Sequence, residues 1–545
     1  MKKFFLFLSG LCTLLGLLLA GCQKCCDRLP DQRINLNISA DPTTLDPRKG
    51  GDIISSLFHF LLFDGLARLD DEGNVAPSLA KTIDISEDKT VYTFHLHDAS
   101  WSDGTPITAW DFEKSWKDIL HPDFPAMNAH LLYPIKNAEG AKLGTASLSE
   151  VGIRCLNART LEVNLERPTP YFLELVAFCV FYPINAEIDH SHPEWDQLVG
   201  KSFIGSGPFS VKEWKRNNVI VLKKNPNYFR ANEVMMEEIT LSIVDSEMTA
   251  LQMFEKGQVD IIGQPLMPLP TDAIPELLKR VQLNIIPAPA TTFCSFNVNE
   301  YPFTNTNIRK AFAYAMNRKQ IVQNITQLQE PPALGIIPPM LKKYESDNVF
   351  FADADTDRAK LTFAKGLEEL GITSQEFPKI TYLYAKSDSH HKIAQALQQQ
   401  WHEVLGVDLQ LKCVEKKSLI HQLKNRNYQA AQTFWMAQYK DPMNIFERFK
   451  SKENIKNYPN WENAAFTELL NASNEAATDE ERFALLEEAE ALFLEEMPLA
   501  PIFHWNSAYI TKPHIKSFGS APIGNGFFDR VYVQMDSQPN TTRRK

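Results

Sequence analysis

Several stretches carry the residue types of catalysis or metal binding, and each fails on spacing. HEVLG (402–406) opens like a zinc-peptidase helix, but Gly406 stands where the second histidine belongs. DADTD (353–357) opens like a calcium loop, yet Arg358 replaces the glycine at position six and Ala364 the glutamate at position twelve. Its acids instead suit the start of a helix over RAKLTFAKGLEEL. GKS (200–202) has Trp195 where a phosphate loop has glycine, and no GxSxG is present. His390 and His391 are adjacent, so on a helix they diverge by about 100° and share a metal poorly. Cys22, Cys25 and Cys26 imitate a CxxC site without a nearby histidine. Neither a catalytic group, a metal site nor a cofactor is expected.

TFWMAQYKDP (433–442) suggests a different chemistry. It gathers Phe434, Trp435, Met436 and Tyr439 around one uncharged amide, Gln438. That is either core packing or the floor of a binding site. The flanking elements decide. KITYLY (379–384) alternates like a strand, and HHKIAQALQQQWHEVLG sets Ile393, Ala396, Leu397, Gln400, Trp401, Val404 and Leu405 at helical spacing before the stop at Gly406. VDLQLKCV, the helical KKSLIHQLKNR and the apolar YQAAQTFW complete a strand–helix–strand–helix–strand series, which predicts a mainly parallel α/β layer. Ligands of such layers lie beyond the carboxyl ends of strands, which places His390 and Gln438 on one crevice.

In the N-terminal half, WSDGTPITAWDF (101–112) has a turn and then Thr108 and Asp111 at capping-box spacing. The helix they open should turn Phe112, Trp116, Ile119 and Leu120 inward, with Trp101, Trp110 and Trp116 in the core around it. GSGPFSVKEW (205–214) is a glycine turn entering a strand. The chain begins MKKFFLFLSGLCTLLGLLLAGC, a basic, then apolar, then small-residue order that reads as a secretory signal over 1–21 ending in a lipobox. Cys22 would be the acylated residue; a spanning helix is the alternative. Loss of Lys2 and Lys3 takes the formal charge from -11 to -13, and an acidic chain without a basic tract excludes nucleic acid as a partner. The length of 545 residues allows two or three domains. Cys155, Cys179, Cys294 and Cys413 are scattered singly and make no disulfide framework.

The ordered series ADPTTLDP (40–47), FDGLARLDDEGNVAPSLA (63–80), YTFHLHDASWSDGTPITAWDFEKSW (92–116), GSGPFSVKEW, LKKNPNY (222–228) and FNVNEYPFTNTNIRKAFAYAMNRKQI (296–321) resembles the family 5 solute-binding proteins of ABC importers, oligopeptide binders above all. The match runs from about Asn35 to about Asp529. It implies a two-lobed periplasmic-binding-protein (Venus flytrap) fold with an extra domain inserted near the N-terminus. Lobe I would comprise 22–54, 189–290 and 505–545, the inserted domain 55–188, and lobe II 291–504.

It further implies a monomeric, lipid-anchored component of the bacterial cell envelope, on the periplasmic side, that holds a short peptide as an added strand and delivers it to the ABC permease transmembrane subunits. The candidate ligand contacts are Trp435, Met436, Gln438, Tyr439, Asp441, His390, Lys416 and Asn297. Asn297 could equally serve a structural turn. The family's oligopeptide binders fix the α-amino group with an aspartate in a segment resembling WCADYNEP, and that aspartate falls on Gln438. An amide offers only a neutral acceptor. Lys416 falls where those binders have an aromatic, whereas His390 matches a histidine near the carboxyl end of longer peptides. The expectation is a preference for peptides with extra negative charge or a masked amine, such as cell-wall peptides, unless Asp441 takes over the amine. A nickel chelate or another small solute, and an envelope chaperone or adhesin, are the alternatives.

Overall fold

The structure is a computed structural model that describes residues 31–70, 72–280, 283–342, 349–519 and 528–534. The signal segment with Cys22, and Cys25 and Cys26 after it, lie outside the described residues.

Three sheets organise the chain. A four-stranded sheet runs in the order Arg33–Ile38, Glu238–Ile243, Val219–Lys224, Phe209–Lys215. A second, four-stranded and antiparallel, runs Ala80–Ile85, Val91–Leu96, Thr160–Asn164, Ile153–Asn157. The third has six strands: Ile261–Gly263, Leu499–Thr511, Asn284–Phe296, Ala430–Met436, Ile380–Ala385, Leu409–Val414. Its last three strands form the expected parallel βαβαβ unit, with Ile380–Ala385 in the middle. The sheet as a whole is mixed, because Ala430–Met436 also pairs antiparallel with Asn284–Phe296, a strand more than a hundred residues away that no local pattern announces.

Asn284–Phe296 and Leu499–Thr511 are thirteen residues each and pair along most of their length, with a break in register between Pro287 and Thr291. Beyond the break, one end of the pair continues into Ala430–Met436 and the other into Ile261–Gly263. A second break in register lies between Thr292 and Phe293.

Local chemistry explains the helices that matter. Helix Asp388–Leu405 buries Ile393, Ala394, Leu397, Gln400, Trp401 and Leu405 and ends on Gly406 at φ 70°, a conformation that glycine adopts without strain. Helix Ala109–Leu120 opens on the expected capping box, with Asp111 Oδ2 accepting from Thr108 N at 2.8 Å. Phe112, Trp116, Ile119 and Leu120 are fully buried, as is Trp101. Trp110 is not core: it lies on the opposite side of that helix and is 54% exposed. Asp355 caps helix Thr356–Leu370 by accepting from Arg358 N, so DADTD is a helix start. The glycines of GSGPF serve backbone packing; a Cβ on Gly207 would collide with the backbone of Leu62 and Phe63. Cys155, Cys179, Cys294 and Cys413 are free thiols. No helix among the described residues is long and apolar enough to cross a membrane.

Candidate functional site

The loop after strand Ala430–Met436 faces residues of the N-terminal half across a narrow cleft. Gln438 Nε2 donates to Asn128 Oδ1 at 2.9 Å, and the Tyr439 ring stacks on Tyr171 at 5.1 Å and 9°. Lys456 Nζ donates to His130 Nε2 at 3.3 Å, and Arg167 donates to Asn471 Oδ1 at 3.1 Å. Further along, Lys392 pairs with Asp272 at 2.9 Å. The cleft is therefore closed.

What remains open beside Gln438 is a cavity of about 40 Å³. This suffices for about three waters, so any larger guest requires the walls to part. Gln438, Tyr439 and Lys440 form one wall, and Phe60, Asp64, Arg68, Glu174, Phe178, Tyr182, Tyr228 and Asp529 the other. Asp64 accepts from Ser78 Oγ at 2.8 Å and Tyr228 OH at 2.7 Å, and Asp529 pairs with Arg68 at 2.8 Å. Gln438 Oε1 is buried and has no hydrogen-bond partner. The site thus presents an unspent amide acceptor, with the buried Tyr439 hydroxyl beside it, on a wall that also carries Lys440.

The other expected contacts separate into two groups. Trp435 ends the strand half-buried, with its Nε1 donating to Asn444 Oδ1 at 2.7 Å, and Met436 is half-buried beside it. His390 is half-buried at the start of helix Asp388–Leu405, 3.3 Å from Ala385 O; burial lowers its pKa, and Lys416 adds to this. Lys416 itself is exposed at the start of helix Lys416–Lys424.

Asp441 and Asn297 face inward instead. Asp441 is 1% exposed and its Oδ1 takes Arg482 at 2.8 Å and Met443 N at 2.9 Å. Asn297 is 2% exposed and closes a turn, its Nδ2 donating to Arg426 O and its Oδ1 accepting from Asn299 N.

Sequence reasoning passed over Asn128, His130 and Tyr171, because nothing local marks residues that meet lobe II only across the cleft. It also passed over Arg448, Lys456 and Glu447. The available signal was charge inside the apolar run MNIFERF, where a solvated residue is not expected. Burial pushes the Glu447 carboxyl up to about 7 despite Lys450, Tyr439 and Lys456 nearby. Burial and Lys456 push His130 down to about 3.

Residues 74–457 match the model of the bacterial extracellular solute-binding proteins, family 5 middle region. The chain is 36% identical to the oligopeptide-binding protein OppA of Bacillus subtilis (strain 168), over 92% of each chain. It superposes on the murein tripeptide binding protein MppA of Escherichia coli with a TM-score of 0.81 at 26% identity, covering 92% of this chain and 99% of that one. Against the unliganded open form of MppA the TM-score is 0.75, at 26% identity and 92% and 98% coverage. The lower score agrees with the closed cleft described above.

Proposed function

The chain belongs to the bacterial extracellular solute-binding proteins of family 5, and from that premise we propose that it captures short oligopeptides between its lobes and hands them to an ABC permease. Anchoring through an acylated Cys22 belongs to the same proposal. No bond of the ligand is made or broken; closure about the paired strands Asn284–Phe296 and Leu499–Thr511 buries the peptide. The division into lobe I, the inserted domain and lobe II at the boundaries given above is likewise proposed.

The observation that carries the reading is the Gln438 wall. A buried acceptor without a partner, beside aromatic side chains and opposite a second set of polar groups, suits an N–H of an extended peptide. Because that acceptor is an amide and Asp441 is tied to Arg482, an α-ammonium finds no free carboxylate on this wall. The favoured ligands are peptides whose amine is masked or remote, such as cell-wall peptides.

Calorimetry with a neutral tripeptide, its N-acetylated form and a murein tripeptide tests this. The acetylated peptide is expected to bind at least as tightly as the free amine. Strong free-amine binding that acetylation abolishes would sink the masked-amine reading, and silence from all three would sink peptide capture. Glu174 lines the opposite wall of the cavity, so an acetylation effect that disappears in Glu174→Gln would place the amine anchor there.

Closure also couples to pH. In the closed cleft His130 is neutral down to about 3, whereas in water it titrates near 6.5. The closed state therefore binds fewer protons, and it loses ground as pH falls from 6.5 toward 3. With a bound peptide that leaves His130 buried as it is here, affinity is expected to drop by up to about tenfold per pH unit below 6.5, the limit for one proton. His130→Asn should flatten that limb in titrations repeated from pH 7 to 4.5; an unchanged slope would remove His130 from the coupling.

A further inference from the structure

Arg448 lies one helical turn beyond the crevice loop and is 5% exposed. Its guanidinium sits 4.1 Å over the Trp435 ring and 4.7 Å from that of Phe449. Aromatic faces offset part of its lost hydration but use none of its N–H donors. Its Nε is buried and bonded to nothing, and among the described residues no carboxylate forms an ion pair with it.

Two neighbours repeat the pattern on the same indole. Lys456 Nζ lies 5.4 Å over the Trp435 ring and donates a hydrogen bond to the neutral His130. Asn444 spends Oδ1 on Trp435 Nε1 and leaves its Nδ2 buried without a partner. The other titratable groups facing Arg448 are Tyr458 and Glu447; both favour its charged form without an ion pair to it, and Glu447 also attracts Lys450 and Lys456. A guanidinium, an ammonium and an amide thus gather around one indole, and among the described residues no carboxylate is bonded to any of them. Buried cations ordinarily occur with a counter-charge. A guanidinium lying flat on an indole keeps its in-plane N–H edge for a planar, two-oxygen acceptor.

We infer that Arg448, Lys456 and Asn444 form a binding site for a ligand carboxylate on the Trp435 side of the cleft, selecting acidic peptides. The inference rests on the peptide-capture reading. The carboxylate is either a side chain or the terminus of the peptide, and the two are separable.

The test is calorimetry on the full chain with alanine tripeptides carrying glutamate or glutamine at each position in turn, and with the same peptides amidated at the C-terminus. At one position glutamate should be favoured over glutamine by about tenfold or more, or amidation should cost about as much, as a charge-assisted bond to a buried cation requires. Arg448→Met keeps the stem on Trp435 and should erase that preference, and Lys456→Gln should weaken it. A preference at a glutamate position identifies a side-chain carboxylate, and an amidation loss the terminus. The site is overturned if the wild-type chain shows neither, or if the preference survives Arg448→Met. Silence from every peptide would overturn peptide capture instead. Glutarate then probes the site directly: it should change tryptophan emission in the wild type and not in Arg448→Met, and no change in the wild type overturns the site.

Discussion

Gln438→Asp is expected to raise affinity for a free-amine tripeptide by about thirtyfold or more, the equivalent of the 2 kcal/mol at the lower end for a buried charge pair. In the wild type Gln438 Oε1 is a buried acceptor with no partner, and its Nε2 is spent on Asn128. Aspartate is one methylene shorter, so its carboxylate draws back from Asn128 Oδ1 and stays on the same wall. An α-ammonium arriving there gains a charge-assisted bond in place of a neutral one. Lys440 lines the same cavity and competes for the new carboxylate, which argues for the lower end of the range. The measurement is calorimetry with the free and N-acetylated tripeptide. The variant should separate the two peptides where the wild type does not, and equal affinities in the variant would show that the amine does not meet this loop.

The largest stability effect is expected at Arg48. Its side chain is 2% exposed and bridges three carboxylates: Asp46 at 2.8 Å, Asp118 at 2.7 Å and Asp189 at 2.5 Å. Burial alone would lower the Arg48 pKa, but its bonds to Asp46 and Asp189 raise it overall. Burial likewise opposes ionisation of Asp189, and the bonds from Arg48 and Lys114 hold its carboxyl well below the usual range. Arg48→Met would leave Asp46, 0% exposed, with Lys49 at 3.3 Å as its remaining cation.

Removing one partner of a buried ion pair costs about 3–5 kcal/mol. In a domain of 150–250 residues that lowers the first thermal transition by about 10 °C. Differential scanning calorimetry checks it. Arg48→Lys, which keeps the charge and loses the fork, should recover part of the loss. A shift of a degree or less in Arg48→Met would mean that the three carboxylates are stabilised by water and Lys114 instead.

Much of the framework was legible because it is written in short-range patterns. The period of Ile393, Leu397, Gln400 and Trp401 fixes which face of the helix is buried, and Gly406 ends it through a backbone conformation that depends on one residue. The capping box at Thr108 is likewise local. Trp110 shows the limit of such reading, since a tryptophan two residues into a helix can face either way until the partner surface is known. The mixed character of the central sheet was hidden for a related reason: the strand that pairs antiparallel with Ala430–Met436 belongs to a distant stretch of chain.

By itself, the sequence determined an α/β layer with the TFWMAQYKDP loop beyond the carboxyl ends of its strands, because those patterns are short-range, and the order of motifs carried the family resemblance that implied two lobes. Only the tertiary structure decided what the loop's side chains do. It set Gln438 against Asn128, 310 residues away, turned Asp441 inward to Arg482, and laid Arg448 on Trp435 with its donors unspent. The physical reason is that burial and pairing are properties of surfaces that meet. An ionisable residue carries the same letter whether it meets a partner, water or nothing, and closure of the lobes settles which.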